Sequence, residues 1–253
     1  METAILLAAA LLPAAALFVY TWKKDPQPEP TRWLVKAVAW GMVIVVPVAL
    51  IELGIEQLLF GGEANTLPAT TLMSFVGIAL PEEGFKLLAL WLVLRKNPYF
   101  DEHFDGIVYA VCVGLGFAAV ENVGYLADSG DEWISVAVIR ALLAVPGHYA
   151  FAVIMGYFYS VYHFIDRSPR TAVCVLLLPV VAHGLYDSIA LATSVSPDIG
   201  ALGFLVLVFF CIRVHKFART RMLTQIERDR QRQQWQAFFE GQPPHTINEN
   251  NEQ

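Results

Sequence analysis

Long apolar runs constrain this chain more than any other feature. Stretches at about 4–22, 33–53, 67–94, 105–127, 133–163, 171–193 and 199–215 approach or exceed the ~20 residues that carry a helix across a bilayer. Short segments between them hold most of the charge and proline. In lipid the backbone must satisfy its own hydrogen bonds, so such runs fold as helices or as closed barrels. None of them alternates like a barrel strand. Only 16% of the 253 residues are charged, against about a quarter in a soluble domain. The expectation is an all-α, polytopic transmembrane helical bundle of about seven spans.

Lysine and arginine orient it. Lys23, Lys24, Arg32 and Lys36 flank the first connection, Arg95 and Lys96 lie in the third, and Arg167 and Arg170 in the fifth. Arg213, Lys216, Arg219 and Arg221 open the tail, whereas Gly61–Thr66, Asp128–Glu132 and Ser194–Asp198 contain acids and no lysine or arginine. By the positive-inside rule the N-terminus lies outside and the C-terminus in the cytoplasm. The first run lacks a basic front end and contains Pro13, so it is expected to remain as a helix rather than to act as a signal peptide. The division expected is residues 1–66 as N-terminal helices, 67–215 as a catalytic core, and 216–253 as a cytoplasmic tail, helical and then disordered. Cys112, Cys174 and Cys211 all lie in apolar runs and read as small buried hydrophobes. The net charge of −6 mixes segments of opposite sign, and no nucleotide-binding glycine motif or nucleic-acid patch is present.

Within the apolar runs sit polar residues that lipid penalises by several kcal/mol, which makes them functional hypotheses. In Leu80-Pro81-Glu82-Glu83-Gly84-Phe85-Lys86 the lysine lies four residues after one acid and three after the other, so it can neutralise one of them; the second acid is surplus to a structural pair. Glu121 and Asn122 lie deep in the fourth run, with Asp105 at its start as an interfacial acid or cap. Arg140 and Pro146-Gly147-His148 occupy the fifth. In the sixth, His183 and Asp187 share a helix face at a spacing that lets a carboxylate orient an imidazole. Counted from the cytoplasmic ends, these acids and histidines lie roughly 12 to 17 residues in, a spread of about 8 Å along the membrane normal. Four helices bring them to one level.

Several carboxylates with two imidazoles can activate water, either through a glutamate base or through a metal held by His and Glu. Two His and one Glu form a known catalytic zinc set. Nucleophile-elbow, HExxH and GxGD patterns are absent. The same residues can serve a proton-coupled transporter, against which stands the lack of inverted repeats, or an inactive membrane scaffold.

Glu82-Glu83-x-x-Lys86, Phe117-x-x-x-Glu121-Asn122, Pro146-Gly147-His148 and His183-x-x-x-Asp187, in that order, resemble the motif series of the PrsW family of intramembrane proteases, which is related to the CAAX prenyl protease superfamily. The CAAX pattern has Arg after the paired glutamates and His at the position of Glu121, so prenylated substrates are not expected. The resemblance implies an intramembrane endopeptidase in a bacterial or archaeal cell membrane that cuts a single-span, anti-sigma-factor-like protein. It implies Glu82 and Glu83 as the catalytic pair, one activating water. Glu121, His148 and His183 complete the site as metal ligands or as oxyanion and proton partners, with Asp187 orienting and Lys86 and Asn122 supporting. Zinc is the favoured cofactor, with metal-independent glutamate chemistry left open.

Overall fold

A computed structural model of the chain describes residues 2–62, 64–196, 198 and 200–240. Among these there is no strand. The helices are α1 (Glu2–Lys24), α2 (Thr31–Val43), α3 (Val45–Phe60), α4 (Leu67–Leu72), α5 (Leu80–Leu94), α6 (Asp105–Asp128), α7 (Trp133–Ile139), α8 (Val145–Phe164), α9 (Pro169–Val195) and α10 (Gly200–Phe239). Six helical stretches are long and apolar enough to cross a membrane. The third expected span is helical throughout Leu67–Leu94 but is not among the six, since it carries Glu82, Glu83 and Lys86.

Prolines shape the interruptions. A proline has no N–H to donate and its ring crowds the carbonyl four residues earlier. Pro47 thus meets Val43, where α2 ends; α3 begins two residues later, at Val45. Two further prolines are preceded by π-helical turns. Met73–Ala79 joins α4 to α5 ahead of Pro81, and Arg140–Ala144 joins α7 to α8 ahead of Pro146. Widening to i→i+5 bonding accommodates the missing donor, and such turns concentrate at functional sites.

The core is built around α6, which is buried without interruption from Asp105 to Ala119 and packs on α1, α2, α5 and α8. Close approach rests on glycine. A Cβ at Gly156 of α8 would lie 2.3 Å from the Gly106 carbonyl oxygen, and one at Gly41 of α2 would lie 2.1 Å from that of Val113. These are the small-residue contacts that bring membrane helices together. Gly156→Ala is therefore expected to destabilise the bundle by about 1–3 kcal/mol through overpacking. Gly54→Ala, where a Cβ meets open space, serves as the control. Thermal unfolding of both variants in detergent checks the difference.

The basic connections gather at one end. There Arg32 donates to the Tyr99 hydroxyl (3.2 Å), and the Phe100 and His163 rings lie 4.7 Å apart. Asp229 of α10 accepts from the backbone N–H of His103 and of Phe104 (2.8 Å each), which anchors α10 to the start of α6. The 40 residues of α10 span about 60 Å at ~1.5 Å per residue, twice the hydrocarbon thickness. The expected boundary at residue 215 falls inside this helix, and the expected disordered segment, 241–253, lies outside the described residues. Cys112 and Cys211 are buried, Cys174 is partly so, and all three are free.

Candidate active site

α5 begins one residue before Pro81, and its first turn presents Glu82 and Glu83 inward, both buried. Lys86 lies one turn on, and its ammonium donates to Glu82 Oε2 at 2.7 Å and to Glu83 Oε1 at 2.8 Å. The lysine thus bridges both acids, and its single charge balances only one of them. Its Nζ also sits 4.2 Å from the centre of the Phe117 ring, whose negative face favours a cation.

Two imidazoles close on this group. His148 follows the π-helical turn of Arg140–Ala144 and the Pro146 that ends it, and His183 comes from the middle of α9. Gly184 lets α9 lie against the other π-helical turn, since a Cβ there would fall 2.5 Å from the Phe75 ring. Phe151 stacks on His183 at 4.9 Å and 23°. The rings of His148 and His183 are 5.2 Å apart.

The hydrogen bonds constrain the ring protons. His148 Nε2 lies 2.8 Å from Glu121 Oε2, and its Nδ1 lies 3.2 Å from Lys86 Nζ. A carboxylate accepts and an ammonium donates, so the ring is neutral with its proton on Nε2 and its Nδ1 lone pair turned inward. His183 has Nε2 3.2 Å from Asp187 Oδ2 and Nδ1 3.0 Å from Glu83 Oε1. Glu83 accepts a proton carried on Nδ1, whereas Asp187 Oδ2 lies close enough for charge attraction without forming a hydrogen bond. A cation between Nδ1 and Glu83 would take that proton's place.

Glu121 itself is held by Arg140, whose Nη2 donates to Oε2 at 2.8 Å, while Arg140 Nε donates to Asn122 Oδ1 at 2.6 Å. Asn122 passes the chain on to α1 by donating to the Ala10 carbonyl at 2.8 Å. The structure therefore brings Glu82, Glu83, Lys86, Glu121, Asn122, His148, His183 and Asp187 into one connected network, drawn from α5, α6, α8 and α9. Asp105 is not part of it. It lies at the start of α6, where its Oδ2 accepts from the N–H of Asp101 and Glu102.

Within this network, Glu82, Glu83, His148 and His183 are grouped tightly enough to hold one metal ion, each offering an atom within 4.8 Å of the others. Of the ligands expected from the sequence, His148 and His183 belong to this group, while Glu121 stands behind His148. The donor set fits a metal. It combines imidazole nitrogen and carboxylate oxygen, each ring is backed by a carboxylate on its far nitrogen, and Glu83 Oε2 is buried without a protein partner.

Two residues were not assigned from the sequence. Glu52 of α3 has a partly buried side chain whose Oε1 lacks a partner, within electrostatic reach of Glu82, Glu121, Lys86 and His183. It sits one residue before the end of the second apolar run as counted from sequence, and so reads as a boundary residue. The helix in fact continues to Phe60, which places it inside. Arg140 is the other; its side chain reaches across to Glu121 and Asn122 of α6 rather than outward.

Over residues 29–214 the chain matches the family described as PrsW family intramembrane metalloprotease. It is 34% identical to Protease PrsW of Oceanobacillus iheyensis over 185 residues, covering 73% of this chain and 82% of that one. Protease PrsW of Bacillus subtilis is 33% identical over 225 residues, covering 87% and 99%, and that of Geobacillus kaustophilus is 34% identical over 191 residues, covering 74% and 80%. No solved structure matches. The matched stretch contains the whole buried network, and so the chain belongs to the PrsW family of intramembrane metalloproteases.

Proposed function

We propose that this chain hydrolyses a peptide bond in a single-span, membrane-tethered regulatory protein of the anti-sigma-factor kind, with water activated at the Glu/His cluster. The observation that carries this reading is the convergence of two carboxylate-backed imidazoles on a pair of buried glutamates, one of which keeps an unpartnered oxygen. Zinc is the proposed cofactor, held by His148, His183 and Glu82. A bound zinc ion supplies Lewis acidity, polarising a carbonyl and lowering the pKa of water.

The chain's own residues divide the remaining work. Glu83, with Oε2 turned away from Lys86, takes the proton of the attacking water and returns it to the leaving amine. Lys86 donates to both glutamates and fixes their positions. Glu121 and Asp187 hold the two imidazoles in orientation, and Arg140 and Asn122 fix Glu121 in turn. Phe75, packed on Gly184 beside His183, continues into an open groove lined by Leu67, Pro68, Thr71 and Leu72, apolar enough to receive a substrate's membrane segment.

The test is cleavage of a single-span reporter by the purified chain in detergent. A zinc chelator is expected to stop cleavage and added zinc to restore it, with His183→Ala inactive throughout. Cleavage that survives both chelation and His183→Ala removes the proposal. Proton-coupled flux in liposomes that these variants abolish, with no peptide ever cut, assigns the cluster to transport instead.

A further inference from the structure

A second group of acids lies at the other end of α6, where the basic connections meet. One carboxylate oxygen from each of Asp25, Glu102 and Asp105 lies within 4.8 Å of the other two. The three come from separate parts of the chain: the α1–α2 connection, the α5–α6 connection and the first residue of α6. They are 7%, 7% and 0% exposed. Among the described residues none of them forms a salt bridge.

Each of these carboxylates has one oxygen pinned by a protein donor. Asp25 Oδ1 accepts from Gln27 N–H at 3.1 Å. Glu102 Oε1 accepts from the side-chain amides of Gln27 and of Gln233, the latter at 2.9 Å. Asp105 Oδ2 accepts from the N–H of Asp101 at 3.0 Å and of Glu102 at 2.7 Å. The second oxygen of each, Asp25 Oδ2, Glu102 Oε2 and Asp105 Oδ1, is buried with no protein partner. Buried carboxylate oxygens left in this way cost several kcal/mol unless something else satisfies them. Glu29 adds a fourth acid beside Asp105, with Tyr109 donating to its Oε2.

We propose that this cluster is a binding site for a hard divalent cation of the magnesium or calcium class, separate from the catalytic cluster. The donors are all oxygen, which these ions prefer and zinc does not require. A span of 4.8 Å suits oxygens on opposite sides of an ion bound at ~2.4 Å. Burial, reinforced by Glu29 and Glu102, pushes the Asp25 carboxyl up to about 7, and Glu102 and Glu29 are raised by burial as well. Without a cation the group holds protons near neutrality, and ion binding releases them. Because Gln233 belongs to α10 and Asp25 follows α1, a bound ion ties both ends of the described chain to the start of α6.

Manganese, which reports on magnesium-type sites by electron paramagnetic resonance, serves as the probe on the full chain in detergent, in a Glu83→Gln/His183→Ala background that removes two of the four donors of the catalytic cluster. The expected result is one bound manganese per chain, displaced by magnesium or calcium, with affinity at least tenfold weaker in Asp105→Asn. If Asp105→Asn does not fold, Asp25→Asn and Glu102→Gln, on the connecting segments, are expected to show the same loss. Absence of a bound ion, or equal affinity in the folded variants, overturns the proposal. So does stabilisation by lowered pH alone with no response to the metals, which assigns the cluster to shared protons.

Discussion

Glu83→Gln is expected to lower the turnover of a cleaved reporter by about 10²–10⁴-fold, the range that removal of a general acid–base group produces. The substitution keeps the side chain's size and an oxygen that can accept from Lys86 or His183, but removes the negative charge and the ability to take a proton. Folding is expected to survive, since Lys86 still pairs with Glu82 at 2.7 Å. Thermal unfolding alongside the rate measurement separates a catalytic loss from a structural one. A variant that unfolds like the parent and retains a tenth or more of its rate excludes Glu83 as the base.

Lys86→Met is expected to act on stability instead, by about 3–5 kcal/mol, the cost of removing one partner from a buried charge group. Lys86 faces two adjacent buried carboxylates, and among the described residues no arginine pairs with either of them; Arg140, the cation of the same network, is committed to Glu121 and Asn122. The sign of the coupling gives the sharper check. Lys86→Met/Glu82→Gln is expected to be more stable than Lys86→Met alone, because the second change removes a carboxylate that the first left unpaired. A double variant less stable than the single one means that Lys86 matters for packing rather than for charge.

Much of this site was legible from sequence because charge in lipid has few innocent explanations. Glu82, Glu83, Lys86, His148 and His183 each stood out against apolar neighbours, and helix rise alone placed the acids and histidines at one depth. The helical bundle was legible for the same reason. What the sequence did not reveal depends on where helices end and which segments meet. Glu52 was hidden by a span boundary placed too early. Arg140 reads as able to pair or to snorkel, and only the packing of α6 against the turn preceding α8 decides for Glu121. The cluster at Asp25, Glu102 and Asp105 was out of reach altogether, since its members are ordinary loop and cap acids until the fold brings residues about 80 apart together. Which acid backs a histidine and which faces the centre is likewise a matter of side-chain direction, so Glu121 could be expected as a ligand while standing behind one.

The two π-helical turns carry a consequence for how the chain tolerates length changes. Each residue of an α-helix advances the face by about 100°, and a widened turn absorbs one extra residue without lengthening the path correspondingly. Glu82 and Glu83 lie just beyond one such turn, and His148 just beyond the other. Deleting a single residue from Met73–Ala79 would let the segment relax to α-helix and rotate the acid pair by roughly a quarter-turn, toward lipid. The same deletion near the end of α10, beyond Gln233, would shift mostly exposed residues. The chemistry is thus set by phase as well as by composition, and two widened turns hold the functional groups of α5 and α8 in step.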